Sequence, residues 1–117
     1  MDQNARFQEI LRRVAIFDER LVGPGSGFGL PEISALDAKI TALLRVAAAV
    51  TIGSSAVCLE WSVGRALAAG GMKDEIAEVL LAIAPIAGLA RVVSAAPGLA
   101  AALDYDIEAA LEDPDGL

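Results

Sequence analysis

Read for its apolar and polar positions, the chain follows helical spacing almost throughout. Phe7, Ile10, Leu11, Val14, Phe17 and Leu21 recur at three- and four-residue intervals, which predicts a first helix from about Gln3 to Val22. Glu9 and Arg13 lie four apart on its other face, in the order that favours a helical ion pair. Gly23-Pro-Gly-Ser-Gly-Phe-Gly29 then ends the pattern, because glycine loosens the backbone and Pro24 cannot continue the hydrogen-bond ladder. This stretch lacks the Gly-Lys-Ser/Thr ending of a phosphate-binding loop and follows no strand, so it is read as a connector.

From Ser34 the helices shorten and the links tighten. Either Ser34 or Asp37 can cap a helix running to about Ile52, where Gly53 breaks it. Ser54 or Ser55 can cap the next, which runs to about Ala69 and stops at Gly70-Gly71. A further helix begins near Lys73, with Asp74 and Glu75 complementing its positive end, and passes through Ile76, Val79, Leu80 and Ile83 to a kink expected at Pro85. Gly88 closes it. Another spans about Ala90 to Leu103 with Pro97 interrupting, and a short one covers Asp106 to Leu111. Links this short favour antiparallel neighbours, so the expected fold is an all-α, compact antiparallel helical bundle. No stretch alternates in the manner of a strand, and no internal repeat is found. The organisation expected is a helix and Gly-rich connector over 1–33, a helical domain over 34–104 and an acidic tail over 105–117.

Composition sharpens this picture. The chain has 117 residues, of which 56% are hydrophobic but only 4% aromatic. The apolar content is mostly Ala, Leu, Val and Ile, and runs such as Val46-Ala-Ala-Ala-Val50 suit closely approaching helices. So short a chain has too little volume to hide so much apolar surface alone, which implies a homo-oligomer. The longest uncharged stretch, Val46 to Leu59, falls short of the ~18–20 residues that span a bilayer. No membrane partner is therefore expected. The opening residues Met1 to Arg6 do not begin a secretory signal, so a cytoplasmic location is the default. The net charge of −7 disfavours nucleic acid. The single cysteine, Cys58, excludes an internal disulfide, and the absence of histidine excludes a zinc site or a histidine relay built within the chain. No metal or cofactor is implied.

Four segments together resemble the carboxymuconolactone decarboxylase and alkyl hydroperoxidase D family. Leu36-Asp-Ala-Lys-Ile-Thr-Ala-Leu-Leu44 is similar to its opening helix. Gly53-Ser-Ser-Ala-Val-Cys-Leu-Glu-Trp-Ser-Val-Gly-Arg-Ala-Leu-Ala-Ala-Gly70 resembles its central helix, which carries a Cys-x-x-Cys-x-x-x-His pattern or a Leu-Glu-Phe-His variant. Asp74 to Leu80 matches the helix that follows, and Ala84-Pro-Ile-Ala-Gly88 the apolar-Gly segment after it. The resemblance covers about Leu36 to Leu103 and implies an alkyl hydroperoxidase D-like bundle, a trimer or hexamer, and peroxidase or decarboxylase chemistry.

The departures bear on function. On that alignment the first motif cysteine falls on Ser55, the second on Cys58 and the histidine on Ser62. The upstream glutamate falls near Ala42 or Leu43, and the usual helix-capping Ser/Thr on Met72. In the peroxidase branch two thiols exchange a disulfide while glutamate and histidine move protons. Here Cys58 alone is left as a thiol, able to form a sulfenic acid only if accessible; a buried, inert cysteine is the plainer reading, given its apolar neighbours Ala56, Val57 and Leu59. Ser62 cannot replace an imidazole as acid or base at neutral pH. Glu60 is the other candidate catalytic group, as a base if buried and otherwise as an exposed or salt-bridged side chain. Ser55, Cys58, Ser62 and Arg65 share one helix face, and with Trp61 they form the expected lining of a remnant pocket. There Arg65 would receive the carboxylate of a small acidic metabolite, or else pair with an acidic side chain on another helix or subunit. Trp61 would stack on Arg65 or pack in a core or interface. Three functions follow as expectations: a catalytically depleted binding or assembly protein, an enzyme with a rearranged site, or a purely structural subunit.

Overall fold

The computed structural model describes residues 3–16 and 32–112. Within these the chain forms six helices and no strand: α1 Gln3–Ile16, α2 Ala38–Ile52, α3 Ala56–Ala68, α4 Lys73–Ala87, α5 Leu89–Ala102 and α6 Ile107–Glu112. The contacts divide the chain into two units, Met1–Ala35 and Leu36–Leu117. The expected continuation of the first helix to Val22, the Gly23–Gly29 connector and the last residues of the acidic tail lie outside the described residues.

In the first unit, Glu9 accepts hydrogen bonds from Arg12 at 2.9 Å and from Arg13 at 2.7 Å. These two guanidinium groups hold the Glu9 carboxyl down at about 2. Arg6 donates to the Glu32 carbonyl at 2.6 Å.

The second unit is an all-α bundle whose boundaries follow from its caps. Asp37 accepts from the Ile40 amide at 2.7 Å and starts α2. At the far end Gly53 adopts φ 70°, ψ 42°, and the Gly53 and Ser54 amides donate back to the Val50 and Ala49 carbonyls. This is the left-handed closure in which glycine carries no Cβ penalty. Ser55, not Ser54, caps α3, its hydroxyl accepting from the Cys58 amide at 3.3 Å. α4 begins at Met72 without a side-chain cap, yet Glu75 reaches back to accept from the Met72 amide at 2.9 Å. The same carboxylate bonds Lys39 on α2 at 2.9 Å, tying the two helices together.

The core lies where these helices cross. α2 packs on α3, α4 and α5, and α5 packs on both α3 and α4. Val46 of α2, Val63 and Ala66 of α3 and Ile76 of α4 are fully buried. Ala42, Val50, Leu59, Leu99 and Leu103 complete the cluster. Two proline expectations resolve differently. Pro85 falls in the last turn of α4, two residues before its end at Ala87. Pro97 does not interrupt α5, which runs unbroken from Leu89 to Ala102. A proline removes one backbone donor, and here the turn beyond it is held by burial of Leu99, Ala100 and Leu103 in the core.

Candidate functional site

α3 and its cap Ser55 carry the six side chains singled out from the sequence, and the helical periodicity sorts them. Leu59, Val63 and Ala66 point into the core, so Cys58, Ser62 and Arg65 are rotated toward its edge and outward. Cys58 is exposed, which corrects the expectation of a buried thiol. Its apolar sequence neighbour Leu59 faces the core, whereas Cys58, one residue earlier on a helix, does not.

The two serines on this face serve the helix itself. Ser55 is its cap, and Ser62 donates to the Cys58 carbonyl one turn earlier at 2.9 Å. Arg65 places its guanidinium carbon 5.3 Å from the Trp61 ring centroid, a cation–π contact between two exposed residues worth about 0.5–1 kcal/mol. Trp61 is 62% exposed, so within this chain it is no core residue. Glu60 is exposed as well. No hydrogen bond or ion pair engages the Cys58 thiol or the Glu60 carboxylate among the described residues. Of the two positions that the resemblance assigns to a carboxylate, Ala42 is buried and Leu43 packs against the core. No grouping of three or more metal-ligating side chains occurs among the described residues. No helix is long and apolar enough to cross a membrane.

A cleft of about 210 Å³ opens beside a different sector of α3. Its apolar wall includes Val50, Ala56 and Leu59, and its polar groups are Ser54, Arg91 and Ser94. None of Ser55, Cys58, Glu60, Trp61, Ser62 or Arg65 lines it. Arg91 comes from α5 and lies against Gly53, where a Cβ would fall on its guanidinium. The Ser54 hydroxyl is buried without a hydrogen-bond partner. Sequence reading missed this group because Arg91 stands in α5 and Ser54 in the α2–α3 turn, with no shared motif. The one legible hint was a charged residue within an otherwise apolar helix.

Comparison with known proteins adds one finding. The family model described as carboxymuconolactone decarboxylase family matches residues 27–102, more than half of the chain. No curated protein and no solved structure gives a match.

Proposed function

This chain belongs to the carboxymuconolactone decarboxylase family, and from that premise we propose that it has given up the family's thiol-peroxidase and decarboxylase chemistry and persists as an assembling, small-molecule-binding protein. The observation that carries this reading is the state of the α3 face. Both positions that would hold the partner thiol and the imidazole are serines, and both hydroxyls are engaged with the α3 backbone. The carboxylate position is aliphatic and packed into the core. Cys58 has no second thiol in the chain to form a disulfide with, and no histidine exists to relay a proton.

The assembly part is supported by apolar side chains left in water on α4 and α5. Leu81 is 72% exposed, Ile86 89% and Leu89 71%. Large apolar side chains left this exposed favour an interaction surface, and a homo-oligomer covers them most simply.

The test is consumption of hydrogen peroxide and of an organic hydroperoxide by the full chain, with an external thiol as reductant. The expected rate equals that of a free thiol at the same concentration, and Cys58→Ser changes it no further than removal of one ordinary thiol would. Turnover well above that background, abolished in Cys58→Ser, refutes the proposal. Light scattering on the same sample is expected to show an oligomer; a monomer removes the assembly part.

The exposure of Cys58 favours one second reading, a one-cysteine peroxidase. There the thiolate attacks the peroxide O–O bond, leaves as sulfenic acid with release of water or alcohol, and an external thiol restores it through a mixed disulfide. The same assay separates the two, since only this reading gives saturable, Cys58-dependent turnover.

A further inference from the structure

The geometry points to the cleft between α2, α3 and α5 as a binding site for a small organic monoanion with a short apolar tail, received by Arg91 and the Ser54 and Ser94 hydroxyls. This rests on the small-molecule-binding half of the function proposed above and gives it a location away from the Cys58 face.

Four observations converge on that cleft. Arg91 brings a permanent positive charge, and no carboxylate or carbonyl engages it among the described residues. A guanidinium presents paired donors that match a carboxylate edge. Ser54 places a hydroxyl in the same wall that is buried and without a partner, a rare condition for a buried polar atom. The proposed carboxylate supplies the partner that this hydroxyl lacks. Third, α3 begins here. Its cap Ser55 accepts from the Cys58 amide, so the amides of Ala56 and Val57 retain free N–H groups, and Ala56 lines the cleft. The positive end of the helix therefore adds to the pull on an anion. Fourth, Gly53 makes room for the arginine. Its lack of a Cβ lets the guanidinium lie against the α2 terminus, beside Ser54.

Size and lining restrict the ligand. At about 210 Å³ the cleft exceeds the ~150 Å³ cavity that accommodates a benzene-sized molecule, and it falls short of the ~300 Å³ at which drug-sized sites begin. Val50, Leu59 and Ala95 give the cleft an apolar lining beside the polar group. A bare inorganic anion leaves that lining uncovered, and a second negative charge finds no second cation. The net charge of −7 repels anions at long range, so affinity has to come from these short-range contacts.

The test is a titration of the full-length, ¹⁵N-labelled chain with isobutyrate, with its neutral analogue isobutyramide and with inorganic phosphate. Isobutyrate is expected to shift the amides of Ser54, Ala56, Ser94 and Gly98 saturably, with isobutyramide and phosphate at least roughly tenfold weaker. Arg91→Met, which keeps the apolar stem at an exposed position, is expected to weaken isobutyrate at least roughly tenfold. Gly53→Ala, which displaces the guanidinium, is expected to act in the same direction. Absence of saturable shifts overturns the proposal, as does binding that Arg91→Met leaves unchanged. Equal binding of isobutyramide removes the anion, and preference for phosphate removes the apolar tail. Saturable shifts at Cys58, Ser62 and Arg65 instead overturn this location while leaving the small-molecule-binding reading in place.

Discussion

On the proposed alignment Ser55 takes the place of the first motif cysteine, and its role can be measured as stability. Its hydroxyl accepts from the Cys58 amide and satisfies one of the free donors of the first α3 turn. Loss of such a cap costs about 0.5–2 kcal/mol. At 3.3 Å and solvent-exposed, this bond is longer than the ~2.9–3.0 Å optimum, which places Ser55→Ala in the lower half of that range, about 0.5–1 kcal/mol. For a unit of this size that corresponds to a fall of about 2–8 °C in Tm. Ser55→Asp keeps the acceptor and adds negative charge at a helix N-terminus, so it is expected to equal or exceed the parent. Thermal unfolding followed by far-ultraviolet circular dichroism measures both. A Tm shift below about 1 °C for Ser55→Ala, or a Ser55→Asp variant as destabilised as alanine, would refute a capping role for Ser55.

Two further predictions come from glycines and from charge. The α3 helix ends with the Gly71 amide donating to the Ala66 carbonyl at 2.8 Å, and a Cβ on Gly71 would sit 2.8 Å from that same oxygen. Because the obstruction is backbone, Gly71→Ala is expected to destabilise by about 1–3 kcal/mol. Gly64, mid-helix with open space around it, gives the opposite sign, with Gly64→Ala stabilising by about 0.5–1 kcal/mol. Urea midpoints of the pair check this, and the same sign for both would refute it. Glu75 is held below its ordinary value of 4.5, first by the Lys39 hydrogen bond and then by the Met72 amide. A depressed carboxylate stabilises the fold above its unfolded pKa and loses that contribution as pH falls through the folded one. The stability difference between the parent and Glu75→Gln is therefore expected to be steady from pH 5 to 8 and to shrink below 4.5. Lys39, raised above 10.5 by the same contact, loses its share only at the alkaline end. A difference unchanged at acid pH would show that the contact does not form in solution.

Much of the bundle was legible because its boundaries are written in single residues with local effects. Asp37, Gly53, Ser55 and Gly70 each act within one turn, so no tertiary information was needed to place the ends of α2 and α3. What required tertiary contacts was misjudged. Pro97 reads as a break when only the missing donor is considered, yet Leu99 and Leu103 hold the following turn in the core. Cys58 reads as buried when its neighbours in sequence are taken for its neighbours in space; a helix sends adjacent side chains about 100° apart, so Leu59 says little about Cys58. The Arg91 cleft was illegible for a different reason. Its charge comes from α5 and its hydroxyl from the α2–α3 turn, a juxtaposition created by packing alone.

Packing also bears on whether the ancestral chemistry, on the proposed reading, is easily regained. Restoring Cys at position 55 removes the α3 cap, a cost of order 1 kcal/mol that the bundle can absorb. Restoring His at position 62 removes only a hydroxyl-to-carbonyl bond on a half-buried face. The carboxylate is the obstacle. Ala42 is 6% exposed and belongs to one aliphatic cluster with Val46, Val63 and Ile76, so a glutamate there would bury a charge with no cation among those neighbours, and Leu43, the alternative position, is partly buried against the same cluster. Such a group either costs several kcal/mol or is neutralised by an upward shift of its pKa, and a neutral acid does not accept the proton the relay has to pass on. Two reversions on α3 would thus regain a thiol pair and an imidazole without the base behind them. Regaining that base needs a repacked α2–α3–α4 core, which makes the depletion of this face a property of the whole bundle.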